Sequence, residues 1–196
     1  YMAMDKPVIR KSTDEGKNFR MIQLDTNLAN EIKSFSMYDK NIGWYANAAW
    51  YMTTSDGWET INKMPKPIPG YSKTGMHKSI FLDENTIIMM ALIFDTGYQD
   101  LVKYEIKEDR WTLLHTFKED TIDDNIFGIR DIEFVNDTLG FVCGGIKTGY
   151  YAAKYDVIYR TKDGGHTWER VLFEYNKPVF GLQDIAFYDE IGRAHV

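Results

Sequence analysis

The sequence predicts an all-β fold of repeated antiparallel units, and three observations carry that prediction. The stretch Thr161-Lys162-Asp163-Gly164-Gly165-His166-Thr167-Trp168 recurs in weaker form as Ser12-Thr13-Asp14-Glu15-Gly16-Lys17-Asn18-Phe19 and as Thr54-Ser55-Asp56-Gly57-Trp58-Glu59-Thr60-Ile61. Gly128-Ile129-Arg130-Asp131-Ile132-Glu133-Phe134 returns 53 residues later as Gly181-Leu182-Gln183-Asp184-Ile185-Ala186-Phe187. Aromatic residues make up 15% of the chain, with 13 Tyr and 11 Phe, a composition suited to sheets packed face to face. Short strands repeating every 40 to 55 residues or so are the mark of propeller blades. The expected architecture is a β-propeller of four-stranded antiparallel blades.

The first repeat reads as a hairpin turn. A chain that reverses within a few residues needs Gly where φ is positive, and an Asp or Ser side chain for turn amides that the ladder cannot reach. Asp163 is expected to accept from N–H groups of its own turn, Gly165 to be left-handed, and Trp168 to fold back as an apolar plug between sheets. In the second copy Trp58 stands where the second Gly is expected.

The second repeat reads as the start of a strand. Ser34-Phe35-Ser36-Met37-Tyr38-Asp39 and Ser79-Ile80-Phe81-Leu82-Asp83 hold the corresponding places in earlier units, and Gly43-Trp44 and Gly140-Phe141 open the strands that follow. The run Ile87-Ile88-Met89-Met90-Ala91-Leu92-Ile93-Phe94 is of strand length and is expected to be buried. With Asp14, Asp56 and Asp163 as markers and a degenerate turn at Glu108-Asp109-Arg110-Trp111, whole blades are expected at 23–68, 69–118 and 119–175. Residues 1–22 then close a preceding blade, and 176–190 open the next.

The order of hydroxyl, Asp, Gly and aromatic resembles the Asp-box, or BNR repeat, S/T-x-D-x-G-x-x-W/F, of β-propellers such as the sialidases, the sortilin group and photosystem assembly factors. Its structural positions here are Ser12, Asp14, Gly16 and Phe19, then Thr54, Asp56 and Gly57, then Thr161, Asp163, Gly165, Thr167 and Trp168. The resemblance implies a ring of six to eight blades and a location in the periplasm, on the cell surface or outside the cell. Sialidases bind a carboxylate with three arginines and use a Tyr–Glu pair and an Asp. The Arg-Ile-Pro of that group is absent, since Lys6-Pro7-Val8-Ile9-Arg10 has the letters in another order, and no catalytic role is carried over.

Two readings of the chain ends compete. The terminal strands complete one shared blade and close a ring of four, which removes exposed sheet edges, or the chain is a piece of a longer propeller. The second is preferred because Ile191-Gly192-Arg193-Ala194-His195-Val196 resembles the in-frame translation of a sequencing-library adapter, a non-native tail to be set aside in fold reasoning. The alternative is that Gly192 is the next Gly of the repeat, aligned with Gly140.

Composition narrows the partners. A net charge of −6 argues against nucleic acid or an anionic membrane surface. No apolar stretch approaches the ~20 residues that span a bilayer. Cys143 is single, so no intrachain disulfide forms, and its strand setting points to a buried thiol. His77, His115 and His166 lack metal-ligand spacing, and the acidic run 119–125 lacks the order of a calcium loop. No phosphate loop, dinucleotide fingerprint or nucleophile elbow is present. No cofactor and no metal are expected.

Binding candidates come from position within the blade. The loop entering the innermost strand opens onto the funnel. It holds Arg130-Asp131 in one unit and Gln183-Asp184 in the next. Asp131 and Asp184 repeat, as strand-capping residues do, whereas Arg130 and Gln183 differ and are the ligand-binding candidates. Tyr150 and Tyr151, in a Gly- and Lys-flanked insertion, are two more. Of Trp44, Tyr45, Trp50 and Tyr51, most are expected to pack between blades. The expected function is a non-catalytic scaffold that binds a protein or glycan, with oligomeric state left open. The alternative is a piece of a propeller glycoside hydrolase of the sialidase kind.

Overall fold

The computed structural model describes residues 8–24, 32–47, 51–64, 74–93, 99–117, 127–147, 153–179 and 182–187. The acidic run 119–125, Trp50, Tyr150, Tyr151 and the tail 191–196 lie outside them. Among the described residues every regular element is a strand. The chain forms two compact units, Tyr1–Pro67 and Ile68–Val196.

The first unit holds an antiparallel pair, β1 (Val8–Lys11) with β2 (Arg20–Gln23), in the register Ile9↔Ile22. It also holds a four-stranded meander of β3 (Ile32–Met37), β4 (Gly43–Asn47), β5 (Tyr51–Thr54) and β6 (Asn62–Met64). Ile9, Ile22 and Leu24 pack with Tyr45, Met52 and Trp58 into one core. Trp44 and Tyr51 are buried and stack at 5.2 Å, so these aromatics serve packing.

The second unit holds two further meanders. One is β7 (Thr74–Phe81), β8 (Thr86–Ile93), β9 (Gln99–Glu105) and β10 (Arg110–Phe117). The other is β11 (Phe127–Phe134), β12 (Gly140–Lys147), β13 (Ala153–Thr161) and β14 (Glu169–Val179). Every neighbouring pair in them is antiparallel. Ile88, Met90, Leu101, Leu114 and Phe117 of the first sheet pack against Ile129, Ile132, Val142, Val157 and Tyr159 of the second. Ile87, Met89 and Ala91 are buried as well, so β8 is covered on both faces. That is why its sequence is a continuous apolar run without alternation.

The three repeated turns share one set of bonds. Thr161 Oγ1 accepts from the N–H of Gly165 at 2.9 Å and donates to Asp163 Oδ1 at 2.8 Å, while the Thr167 N–H donates to Asp163 Oδ1 at 2.9 Å. Ser12 and Asp14 hold Gly16 and Asn18 in the same way, as Thr54 and Asp56 hold Trp58 and Thr60. Each turn has two consecutive residues of positive φ: Glu15 and Gly16, Gly57 and Trp58, Gly164 and Gly165. The carboxylates sit far below their ordinary value, at about 2 for Asp163, through the Thr167 hydroxyl and amide, and at about 2 for Asp56, through the Thr60 amide and hydroxyl.

Trp58 takes φ of 72° at a place suited to Gly, and it is 2% exposed. A bulky residue there is strained, and the burial of its indole in the core of the first unit offsets the strain. In the last turn the plug is instead Trp168, whose ring lies 5.6 Å from Phe117 of β10 and 6.4 Å from Phe134 of β11. Phe19, at the equivalent place in the first turn, is 60% exposed.

The turns are also clipped to the first hairpin of their sheet. The N–H of Gly57 donates to Asn41 O, that of Ile106 to Asn85 O, and that of Gly164 to Thr138 O, at 2.8 to 3.0 Å. The degenerate turn between β9 and β10 lacks the hydroxyl and uses another device. Asn85 Oδ1 accepts from the Lys107 N–H at 2.8 Å, and the Tyr104 hydroxyl donates to Asp109, which has φ of 46°.

Thr161→Val should cost about 1–3 kcal/mol, because the Gly165 amide it satisfies is buried. Ser12→Ala removes the same bond from the exposed Gly16 amide and should cost much less. Urea denaturation of the two variants is the check, and equal losses would contradict a role for burial.

Candidate functional site

The first strand of each four-stranded sheet carries a bulge near its start. The register shifts between Ile32 and Ser34 in β3, between Met76 and Lys78 in β7, and between Ile129 and Asp131 in β11. Lys33, His77 and Arg130 are the extra residues at this register position of the three four-stranded sheets. A bulge bends its strand and re-aims side chains, and bulges gather beside binding sites. In β11 the bulge rests on Gly144, where a Cβ would come within 2.1 Å of Gly128 O. Only a glycine permits that approach.

Arg130 is exposed on β11, and Gln183 is exposed in the segment 182–187. Between them lies a charged cluster. Asp131 is 2% exposed; its Oδ1 lies 2.6 Å from Lys78 Nζ, a charge contact off the hydrogen-bond line, and its Oδ2 accepts from the Ile185 N–H at 3.0 Å. The Asp184 carboxyl interacts with that of Asp131. The second repeat thus has a physical basis: the Asp of one unit fixes the opening segment of the next.

Burial first, and the interaction with Asp184 second, raise Asp131 above the ordinary carboxylate value. Exposed Asp184 is lowered, chiefly by its interaction with Asp131. Burial and the charge of Asp131 raise Glu133. Burial opposes the charge on Lys78, yet its contact with Asp131 holds it above the usual lysine value. The Cys143 thiol is buried and pushed up to about 12, chiefly by burial and then by Asp131, which makes it inert at neutral pH.

Gln99 is a member of this end that sequence reading missed. It is 5% exposed at the start of β9, and its amide accepts from the N–H of Ile129 and faces Ile129 O, supplying β11 with a partner from the neighbouring sheet. Its sequence signal was weak: a polar residue just before the apolar positions of a strand. Lys33 and His77 were missed because the bulge, which aligns them with Arg130, is not written in the alternation. Among the described residues no group of three His, Cys, Asp or Glu side chains is placed to hold a metal. Among the same residues no helix is long and apolar enough to cross a membrane.

No family model matches the chain, and no curated protein matches it in sequence. Among solved structures the chain is similar to one titled "YCF48 bound to D1 peptide", with a TM-score of 0.55 and 18% identity over 74% of this chain and 42% of that one. The fold is that of a β-propeller. The chain spans less than half of that solved chain. In propeller terms the four-stranded meanders are blades, and β3, β7 and β11 are the strands that begin them.

From the ordinary aspartate value up to the raised value of Asp131, the folded chain binds more protons than the unfolded one, so stability falls as pH rises through that window. Asp184 contributes the opposite slope at lower pH, as its depressed value requires. Asp131→Asn should remove the first slope. Melting temperatures of both proteins from about pH 4 to pH 7 test this, and parallel curves would count against titration of Asp131.

Proposed function

We propose that the chain belongs to a non-catalytic Asp-box propeller that serves as a binding scaffold for a protein partner, with Arg130 at its recognition end. The observation that carries this reading is the bulge of β11, which presents exposed Arg130 next to Asp131, the residue that holds the segment carrying exposed Gln183. An exposed Arg at that place suits a partner segment that bears carboxylates. Gln183, Tyr150 and Tyr151 belong to the same reading as further contacts. The peptide named with the similar structure supports a protein as partner. The bonding of the Ser12, Thr54 and Thr161 turns supports the Asp-box assignment, and with it export.

The alternative is a piece of a propeller glycoside hydrolase of the sialidase kind. Selection of peptides from a random display library on the immobilised chain, beside a glycan array, is the test. Peptides should be enriched, and Arg130→Ala should weaken them about tenfold. Binding of glycans alone, or turnover of a sialoside, would overturn the reading.

A further inference from the structure

The first unit has a groove at the end of β3 opposite its bulge. It encloses about 550 Å³ between Ile9–Thr13 and the turn at Asp39–Asn41. Its floor is apolar: Ile9, Phe35, Met37 and Trp58. The Phe35 ring is 45% exposed and stacks on Trp58 at 5.7 Å. The Trp58 indole N–H donates to Met37 Sδ at 3.2 Å. The floor is therefore fixed beneath an accessible aromatic face. Trp58 holds its place there at a positive φ, and strain of that kind gathers at ligand-binding sites.

The rim is basic. Arg10 and Lys40 are exposed, and Lys11 is anchored by donating to Gly57 O at 2.9 Å. The lone carboxylate of the lining, Asp39, accepts from the N–H groups of Asn41 and Ile42 at 2.7 Å each, which orients it toward its own turn. With Arg10, Lys11 and Lys40 against Asp39, the lining keeps an excess of positive charge, a local exception in a chain of net charge −6.

We propose that this groove binds an extended acidic segment of a partner protein, with one aromatic side chain on Phe35 and flanking carboxylates on Arg10 and Lys40. The volume admits one or two side chains and no folded domain. Arg10 can bind a carboxylate through two parallel hydrogen bonds, and the aromatic face buries area at low entropy cost. This site is separate from the bulge end and stands or falls without it.

The test uses fluorescently labelled degenerate peptides with Phe or Tyr fixed between Asp or Glu, measured by anisotropy on the whole chain at low salt. Pools with Lys in place of the acids serve as control. The acidic pool should bind and the basic pool should not. Arg10→Glu and Lys40→Glu, both on the surface, should each weaken binding about tenfold, as should Phe35→Ala. No binding of the acidic pool, equal binding of the basic pool, or indifference to Arg10→Glu and Lys40→Glu overturns the proposal. Loss with Arg130→Ala alone assigns the binding to the bulge end and likewise overturns it.

Discussion

The described turns depend on one constraint: a β-turn with two successive left-handed residues must be held by something other than the strand ladder. The hydroxyl of Ser12, Thr54 or Thr161 reaches the amide four residues on, and the Asp two residues on closes the turn from the other side. Each such turn then presents an N–H to the first hairpin of its sheet where the clip is seen, as Gly57 and Gly164 do. The two ends of a four-stranded meander are tied at one end of the sheet, which leaves the opposite end, with the bulges, to vary.

The constraint concerns geometry and not a fixed set of residues. Trp58 shows this most plainly, since it occupies a glycine position and serves as the core aromatic of its unit at the same time. The turn between β9 and β10 shows it in another way. With no hydroxyl available, Asn85 crosses from the neighbouring hairpin and supplies the acceptor. Stability is thus distributed over equivalent solutions, as expected of stacked repeats in which each unit contacts its neighbours.

Charge is divided between the ends of the sheets. At the bulge end a buried carboxylate, Asp131, is balanced by Lys78 and by the Ile185 amide. Burying a carboxylate is costly unless it is paired and hydrogen-bonded, and here the pairing joins one repeat to the next. At the turn end of the first unit Asp39 accepts from amides of its own turn, and Arg10, Lys11 and Lys40 line the same groove as exposed Phe35.

The sequence by itself determined the all-β class, the four-stranded repeat, the Asp turns and the buried character of β8. These are local or periodic properties: turn chemistry is set within eight residues, and a strand covered on both faces must be apolar throughout. Arg130 and Gln183 were legible as candidates because the repeat aligns them and their side chains differ. Tertiary structure alone decided that Lys33, His77 and Arg130 share a bulge position. It also decided that Gln99 serves the backbone of β11, that Asp131 holds the amide of Ile185, and that Trp58 floors a basic groove. Each of these joins residues from different strands, and the partner of a bulge, an orphan amide or a buried charge is fixed by packing in space, which no spacing along the chain records.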